Sequence, residues 1–256
     1  MKLKSYVTPC PTVSPDDLVS KARAEMRKSN LRALPVLYNE KLVGVITRSD
    51  VLKITSSKTN IEVGGILWKP LIKIGASADI LEAVDKIIKN KIKQLPVLEN
   101  EEFIGMIRDV DMLKAASEGH MTPNNDEVKE LMSKNVQTFS KKDPLSEVWA
   151  KITTHSGFPV VDNNKLIGII TSRELLNSKK ARIVKESDNP NTLTKVETVM
   201  RIVSGQEDLF TVKKSDSVNE AAKKITKAGS NILIVKEKNK EADGILTKKD
   251  ILRGYL

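Results

Sequence analysis

At four places in the chain a hydroxyl or a cation stands three residues ahead of a carboxylate: Thr47 and Asp50, Arg108 and Asp111, Thr171 and Glu174, Thr247 and Asp250. Each pair follows a short apolar stretch built around one glycine: Leu42-Val43-Gly44-Val45-Ile46, Phe103-Ile104-Gly105-Met106-Ile107, Leu166-Ile167-Gly168-Ile169-Ile170 and Ala242-Asp243-Gly244-Ile245-Leu246. At a helix start, Thr-x-x-Asp can close a capping box, in which the side chains of the two residues each accept a backbone N–H. The same groups can meet a ligand. A carboxylate only accepts hydrogen bonds and so suits a diol, while the free N–H groups and partial positive charge of a helix start suit a phosphate. The two roles are compatible, and residue types alone leave both open.

Other site chemistries lack their residues. There is no Ser/His/Asp or Cys/His set, no Walker loop and no glycine-rich dinucleotide fingerprint. Cys10 is the one cysteine, so it forms no intrachain disulfide and fits a reducing cytoplasm. His120 and His155 lie far apart without partners at metal-ligand spacing, so no metal site is expected. The apolar runs fall well short of the roughly 20 residues that span a bilayer. The start, Met1-Lys2-Leu3-Lys4-Ser5, lacks the apolar stretch of a signal peptide. With 43 Lys plus Arg against 33 Asp plus Glu, the net charge is +10, which biases the surface toward polyanions. Lys179, Lys180, Arg182 and Lys185, in the longest polar connector, are the candidates for an RNA or ribosome contact.

The elements that must position the four pairs repeat as well. Ahead of each glycine stretch runs a second apolar strand: Ala33-Leu34-Pro35-Val36-Leu37, Gln94-Leu95-Pro96-Val97-Leu98, Gly157-Phe158-Pro159-Val160-Val161 and Asn231-Ile232-Leu233-Ile234-Val235. Nine residues separate Pro from Gly in the first three copies. In the fourth, Leu233 replaces Pro and the turn within 237–241 is two residues longer. Upstream, Ile80, Ala83, Val84 and Ile87 fall on one helical stripe, as do Leu145, Val148, Trp149 and Ile152, and Val218, Ala221, Ala222 and Ile225. Val19, Ala22 and Met26 make a looser version. Ser14-Pro15-Asp16-Asp17, Ser77-Ala78-Asp79, Lys142-Asp143-Pro144 and Ser215-Asp216-Ser217 read as the caps of these helices. Polar connectors are expected at 53–62, 114–127 and 177–195.

Each unit thus reads strand, helix, two strands, helix, an α/β fold of four repeats. One unit cannot cover both faces of its small sheet, whereas two together can. The repeats are expected at 1–55, 60–117, 126–180 and 194–256.

This pattern resembles the CBS domain over almost the whole chain. Besides the apolar-Pro-Val strand and the Gly-x-x-Thr-x-x-Asp end, it includes the short leader Val128-Lys129-Glu130-Leu131-Met132-Ser133, echoed by Val196-Glu197-Thr198-Val199-Met200. The resemblance implies pseudo-two-fold pairs called Bateman modules, 1–117 and 126–256, in a homodimer or a monomer of two stacked modules. It implies a non-enzymatic regulatory protein with AMP, ADP or ATP as ligand, no obligatory cofactor and a separate regulated partner. The Thr hydroxyl would approach phosphate, the Asp would take ribose hydroxyls, and the strand start at Ala33 or Gln94 would contact the base. Arg48 and Ser49 add phosphate-friendly donors to the first cleft and Arg32 lies beside the strand that would face the base, so the expected order is first, fourth, third, second. RNA or ribosome binding that silences translation is the alternative.

Overall fold

The glycine stretch of each repeat folds back on the strand before it, forming an antiparallel hairpin. The computed structural model describes residues 3–29, 31–53, 60–67, 71–124, 127–152, 155–163, 165–177, 194–237 and 242–256. In the first repeat, α1 (Val19–Lys28) precedes β1 (Ala33–Tyr38), β2 (Lys41–Thr47) and α2 (Arg48–Lys53). The second has β3 (Ile74–Gly75), α3 (Ile80–Lys89), β4 (Gln94–Glu99), β5 (Glu102–Arg108) and α4 (Asp109–Ser117). After the one-turn α5 (Val128–Leu131), the third has β6 (Phe139–Ser140), α6 (Leu145–Lys151), β7 (Gly157–Asp162), β8 (Lys165–Thr171) and α7 (Ser172–Asn177). The fourth opens with β9 (Arg201–Ile202) and α8 (Glu207–Phe210). It continues with β10 (Thr211–Val212), α9 (Val218–Ala228), β11 (Ile232–Val235), β12 (Gly244–Thr247) and α10 (Lys248–Arg253).

Hairpin register is the same in every repeat. Ala33 faces Thr47, Gln94 faces Arg108, Gly157 faces Thr171 and Ile232 faces Thr247. Thus the strand start lies beside the residue that opens each Thr-x-x-Asp segment. The turns Asn39-Glu40 and Asn100-Glu101 have positive φ at both central residues, the geometry of a tight two-residue hairpin, where asparagine is tolerated. In the fourth hairpin the register puts Ile234, not Leu233, in the place of the proline, so its turn is one residue longer instead of two; residues 238–241 of that turn lie outside the described residues.

The helical stripes are buried where the spacing puts them: Ile80, Ala83, Val84 and Ile87 on α3, Val218, Ala221, Ala222 and Ile225 on α9, Leu145 and Val148 on α6. Trp149 is only partly buried against its core. The caps differ from expectation in two copies. α1 starts at Val19 after Leu18, and α6 starts after Pro144, neither with a side-chain cap. The carboxylates act one turn earlier: Asp17, Asp143 and Asp216 accept the backbone N–H of Ser14, Ser140 and Lys213 at 2.9, 2.7 and 2.9 Å. They tie the turn that aims the helix, a local competitor of capping. Asp79 and Ser217 do cap α3 and α9. The expected connector at 114–127 begins later than the composition suggests, because α4 runs on through Ser117.

The chain divides at Met112/Leu113 into two units. Within each unit the leaders are exchanged between repeats. In the first unit, Thr8 pairs with Met106 beside Gly105, and Leu67 lies over Gly44. Val63, from the second leader, is part of the core formed by α1, β1 and β2. In the second unit, Ser133 pairs with Ile245 beside Gly244, and β9 pairs with Gly168 and Ile169 of β8. Val196 and Val199, just ahead of β9, enter the core of α6, β7 and β8. The glycines permit this approach. A Cβ on Gly168 would stand 2.9 Å from the Arg201 carbonyl oxygen.

Candidate functional site

In the first repeat the Thr47 N–H and hydroxyl both donate to Asp50 Oδ2, at 2.9 and 2.5 Å, and the Asp50 N–H donates back to Thr47 Oγ1 at 3.3 Å. The fourth repeat reproduces this reciprocal box at Thr247 and Asp250 with 2.9, 2.7 and 3.3 Å. Capping is therefore realised at both, and the hydroxyl proton already has an acceptor. In the fourth repeat the second carboxylate oxygen, Asp250 Oδ1, accepts from Arg253 at 3.3 Å.

The third repeat varies this. Thr171 is buried, and its N–H and hydroxyl both donate to Glu174 Oε2, the former at 3.0 Å. The extra methylene of Glu174 lets Arg173 N–H, instead of the N–H of residue 174, return the bond to Thr171 Oγ1 at 3.1 Å. The second repeat holds an ion pair in place of the box. Arg108 Nε and Nη2 donate to Asp111 Oδ2 and Oδ1 at 2.8 and 2.7 Å, and Arg108 N–H adds a third bond at 2.9 Å. Both carboxylate oxygens are thereby used, and the bond to Asp111 raises the Arg108 pKa.

Around the first box stand two more guanidinium groups. Arg48 Nη2 donates to the Leu31 carbonyl at 3.0 Å, and the Arg48 N–H to the Arg32 carbonyl at 2.7 Å. The Arg48 pKa is lowered, first by burial and then by the like charge of Arg32. Neither arginine forms an ion pair with a carboxylate of the described residues. The neighbouring repeat reaches in as Gln94 Nε2, which donates to the Ala33 carbonyl at 3.1 Å. The strand starts of both repeats therefore meet beside the first box.

In the second unit a pocket of about 440 Å³ opens beside the third box, lined by Arg173, Glu174, Arg201, Lys227, Ala228 and Gly229. Such a volume falls in the range of small-ligand sites. Arg201 is absent from the sequence reading. It arrives from the leader of the fourth repeat, five residues after Val196 as Ser133 follows Val128, and that leader's extra length falls after it, in the stretch that carries Phe210. Val196 precedes Thr211 by 15 residues, against 11 between Val63 and Ile74. Lys179, Lys180, Arg182 and Lys185 lie outside the described residues. Among the described residues no group of His, Cys, Asp and Glu could hold a metal ion, and no helix is long and apolar enough to cross a membrane.

Fold and site together define a repeat protein whose units end in capped carboxylates flanked by cations. The family model for the CBS domain matches residues 3–57, 63–118, 128–180 and 196–256, and the chain belongs to that family. It is 27% identical over 272 residues to the uncharacterized protein MJ1225 of Methanocaldococcus jannaschii, with 95% of this chain and 94% of that protein covered. The crystal structure of MJ1225 superposes over all of both chains with a TM-score of 0.73, as does that of an uncharacterized conserved protein from Pyrococcus horikoshii at 17% identity. A 102-residue stretch is 37% identical to inosine-5′-monophosphate dehydrogenase of Korarchaeum cryptofilum, covering 40% of this chain and 21% of the enzyme. The chain thus spans about a fifth of the length of that enzyme.

Proposed function

We propose that the protein is a non-enzymatic regulatory sensor that takes an adenine nucleotide, AMP, ADP or ATP, in clefts at the repeat ends. It would act in the cytoplasm on a separate partner, with no obligatory cofactor. The observation that carries this reading is the pair Arg32 and Arg48. Arg48 is half-buried with its guanidinium on the Leu31 carbonyl and the like charge of Arg32 near it, and neither is paired with a carboxylate of the described residues, which leaves donors for an anion. Beside them, ribose and base would compete with Thr47 for Asp50 and with Gln94 for the Ala33 carbonyl. The clefts lie where two repeats meet, so a bound nucleotide would bias the packing of one repeat on the other by its differential affinity for the two arrangements.

The net charge of +10 also suits RNA, but the lysines and arginines that carried that alternative lie outside the described residues, and nothing described favours it. Titration calorimetry with AMP and ATP tests the sensor on wild type, Asp50→Ala and Arg48→Ala. Wild type should bind. Loss of a charged hydrogen-bonding partner should weaken the first cleft by about tenfold in each variant. Absence of heat with every adenine nucleotide would remove the reading.

A further inference from the structure

Among the described residues, the exchange of leaders puts one residue of three leaders at an equivalent place over the partner repeat's glycine strand. Thr8 pairs with Met106, Ser133 with Ile245, and Arg201 with Ile169, in each case the residue one past the glycine. Thr8 and Ser133 are small, neutral hydroxyl residues. Arg201 is the exception, and it lines the pocket beside the third box.

That pocket gathers three cations, Arg173, Arg201 and Lys227, against one carboxylate, Glu174. Two of the cations are anchored. The Arg201 guanidinium carbon lies 4.8 Å from the centre of the Phe210 ring, and Phe210 itself is buried. Arg173 Nη1 donates to the Gly229 carbonyl at 2.8 Å, at the C-terminal cap of α9. An anchored guanidinium loses little freedom when it binds, and it keeps donors for a further acceptor. The third carboxylate is already occupied by Thr171, so the free bonding capacity of the pocket is mainly cationic. The same logic gives the opposite result at the second box, where Arg108 is neutralised by Asp111.

We infer that the cleft of the third repeat selects ligands carrying at least two phosphate groups, and that Arg201 is the residue that sets this preference. The inference rests on the nucleotide reading above for the nucleoside part of the ligand. One phosphate can be met by one anchored arginine. Two guanidinium groups and an ammonium spread around a single opening present more donors than the oxygens of one phosphate can reach, and bidentate guanidinium–phosphate bonds make the gain from a second phosphate steep. Arg201 stands five residues after Val196, as Ser133 does after Val128; the extra leader residues follow it and supply Phe210, at the end of α8, which holds it there.

The test uses the intact chain as wild type, Arg201→Ser, which copies Ser133 at the equivalent place, and Arg201→Lys. Each is titrated with AMP, ADP, ATP and inorganic tripolyphosphate. Hydrogen exchange with and without ATP reports on residues 199–210 and 226–230. In wild type, ATP should protect both segments and bind more tightly than AMP. R201S should weaken ATP and tripolyphosphate by about tenfold while leaving AMP within about twofold, with R201K in between. An ATP-to-AMP affinity ratio unchanged by R201S overturns the inference, as does protection absent from both segments. If no nucleotide binds but tripolyphosphate binds wild type and not R201S, the polyphosphate site stands and the nucleotide reading fails. If tripolyphosphate and all nucleotides fail to bind, both fall. Retained melting temperature in R201S shows that loss of binding is not loss of fold.

Discussion

Cys10 lies close enough to Arg108 to feel its charge, yet burial outweighs that cation and pushes the thiol up to about 11. At pH 8 roughly one molecule in a thousand therefore carries the thiolate, the reactive form. A thiol reagent should label the native chain slowly at pH 8 and the urea-unfolded chain at least tenfold faster. Equal rates would show that the thiol is not protected. The sign of the linked stability follows. A raised folded pKa means that the unfolded chain loses its proton first, so the contribution is complete below about pH 9 and is lost as the pH rises toward 11. Tyr255, pushed to about 12 by burial, extends the loss upward. Melting temperature should fall across pH 9 to 11, and Cys10→Ala should flatten that slope. At this scale much was legible in the sequence. The i, i+3 spacing of Thr47 and Asp50, of Arg108 and Asp111, and of Thr247 and Asp250 announces contact at a helix start, and the contacts exist. Arg201 was not legible, because its pocket partners Arg173, Lys227 and Gly229 come from distant segments that meet only when two repeats pack.

At the scale of elements, the hairpins carried the clearest signal. Short continuous apolar strands with nine residues from Pro to Gly leave one register, and the three matching hairpins share it. The role of the glycines was hidden, since nothing in a single strand says that another repeat's leader lies across it. Gly105 has φ +150°, and a Cβ there would meet the Thr8 carbonyl oxygen and Val7 Cγ1, both at 2.7 Å. By contrast, a Cβ on Gly65 meets nothing within 4 Å. Gly105→Ala should therefore lift the first leader off β5 and cost about 1–3 kcal/mol, as overpacking of a tight contact does. Gly65→Ala, in open space, should change stability by less than about 0.5 kcal/mol. Urea unfolding of the two variants against wild type checks both. Equal midpoints for all three would mean that the leader does not need its close approach. Helix starts were the weakest part of the sequence reading. Asp17 and Asp143 look like caps, but their carboxylates are consumed by the turn before the helix, a geometry that depends on where the preceding strand ends.

For the molecule, leader exchange makes the pair of repeats the smallest piece that can complete a core. Val196 and Val199 are contributed from beyond the third repeat to its own core, and Val128 N–H donates to the Asp216 carbonyl, binding the third leader to the fourth repeat. A third repeat cut away from the fourth leaves Phe139, Val148 and Phe158 with part of their cover missing. Each such large side chain forfeits on the order of 1.5–3 kcal/mol when it returns to water, a sum comparable with the whole stability of a small domain. The fragment Leu113–Leu256 should accordingly fold by itself, with a cooperative thermal transition in its helical circular dichroism. Fragments 113–193 and 194–256 should each lack that transition alone and regain it when mixed in equal amounts, because each supplies the other's leader contacts. A cooperative transition in 113–193 alone would mean that one repeat covers its own sheet. The exchange of leaders would then be a decoration of the fold, and a ligand at the third box would have no route by which to shift one repeat against the next.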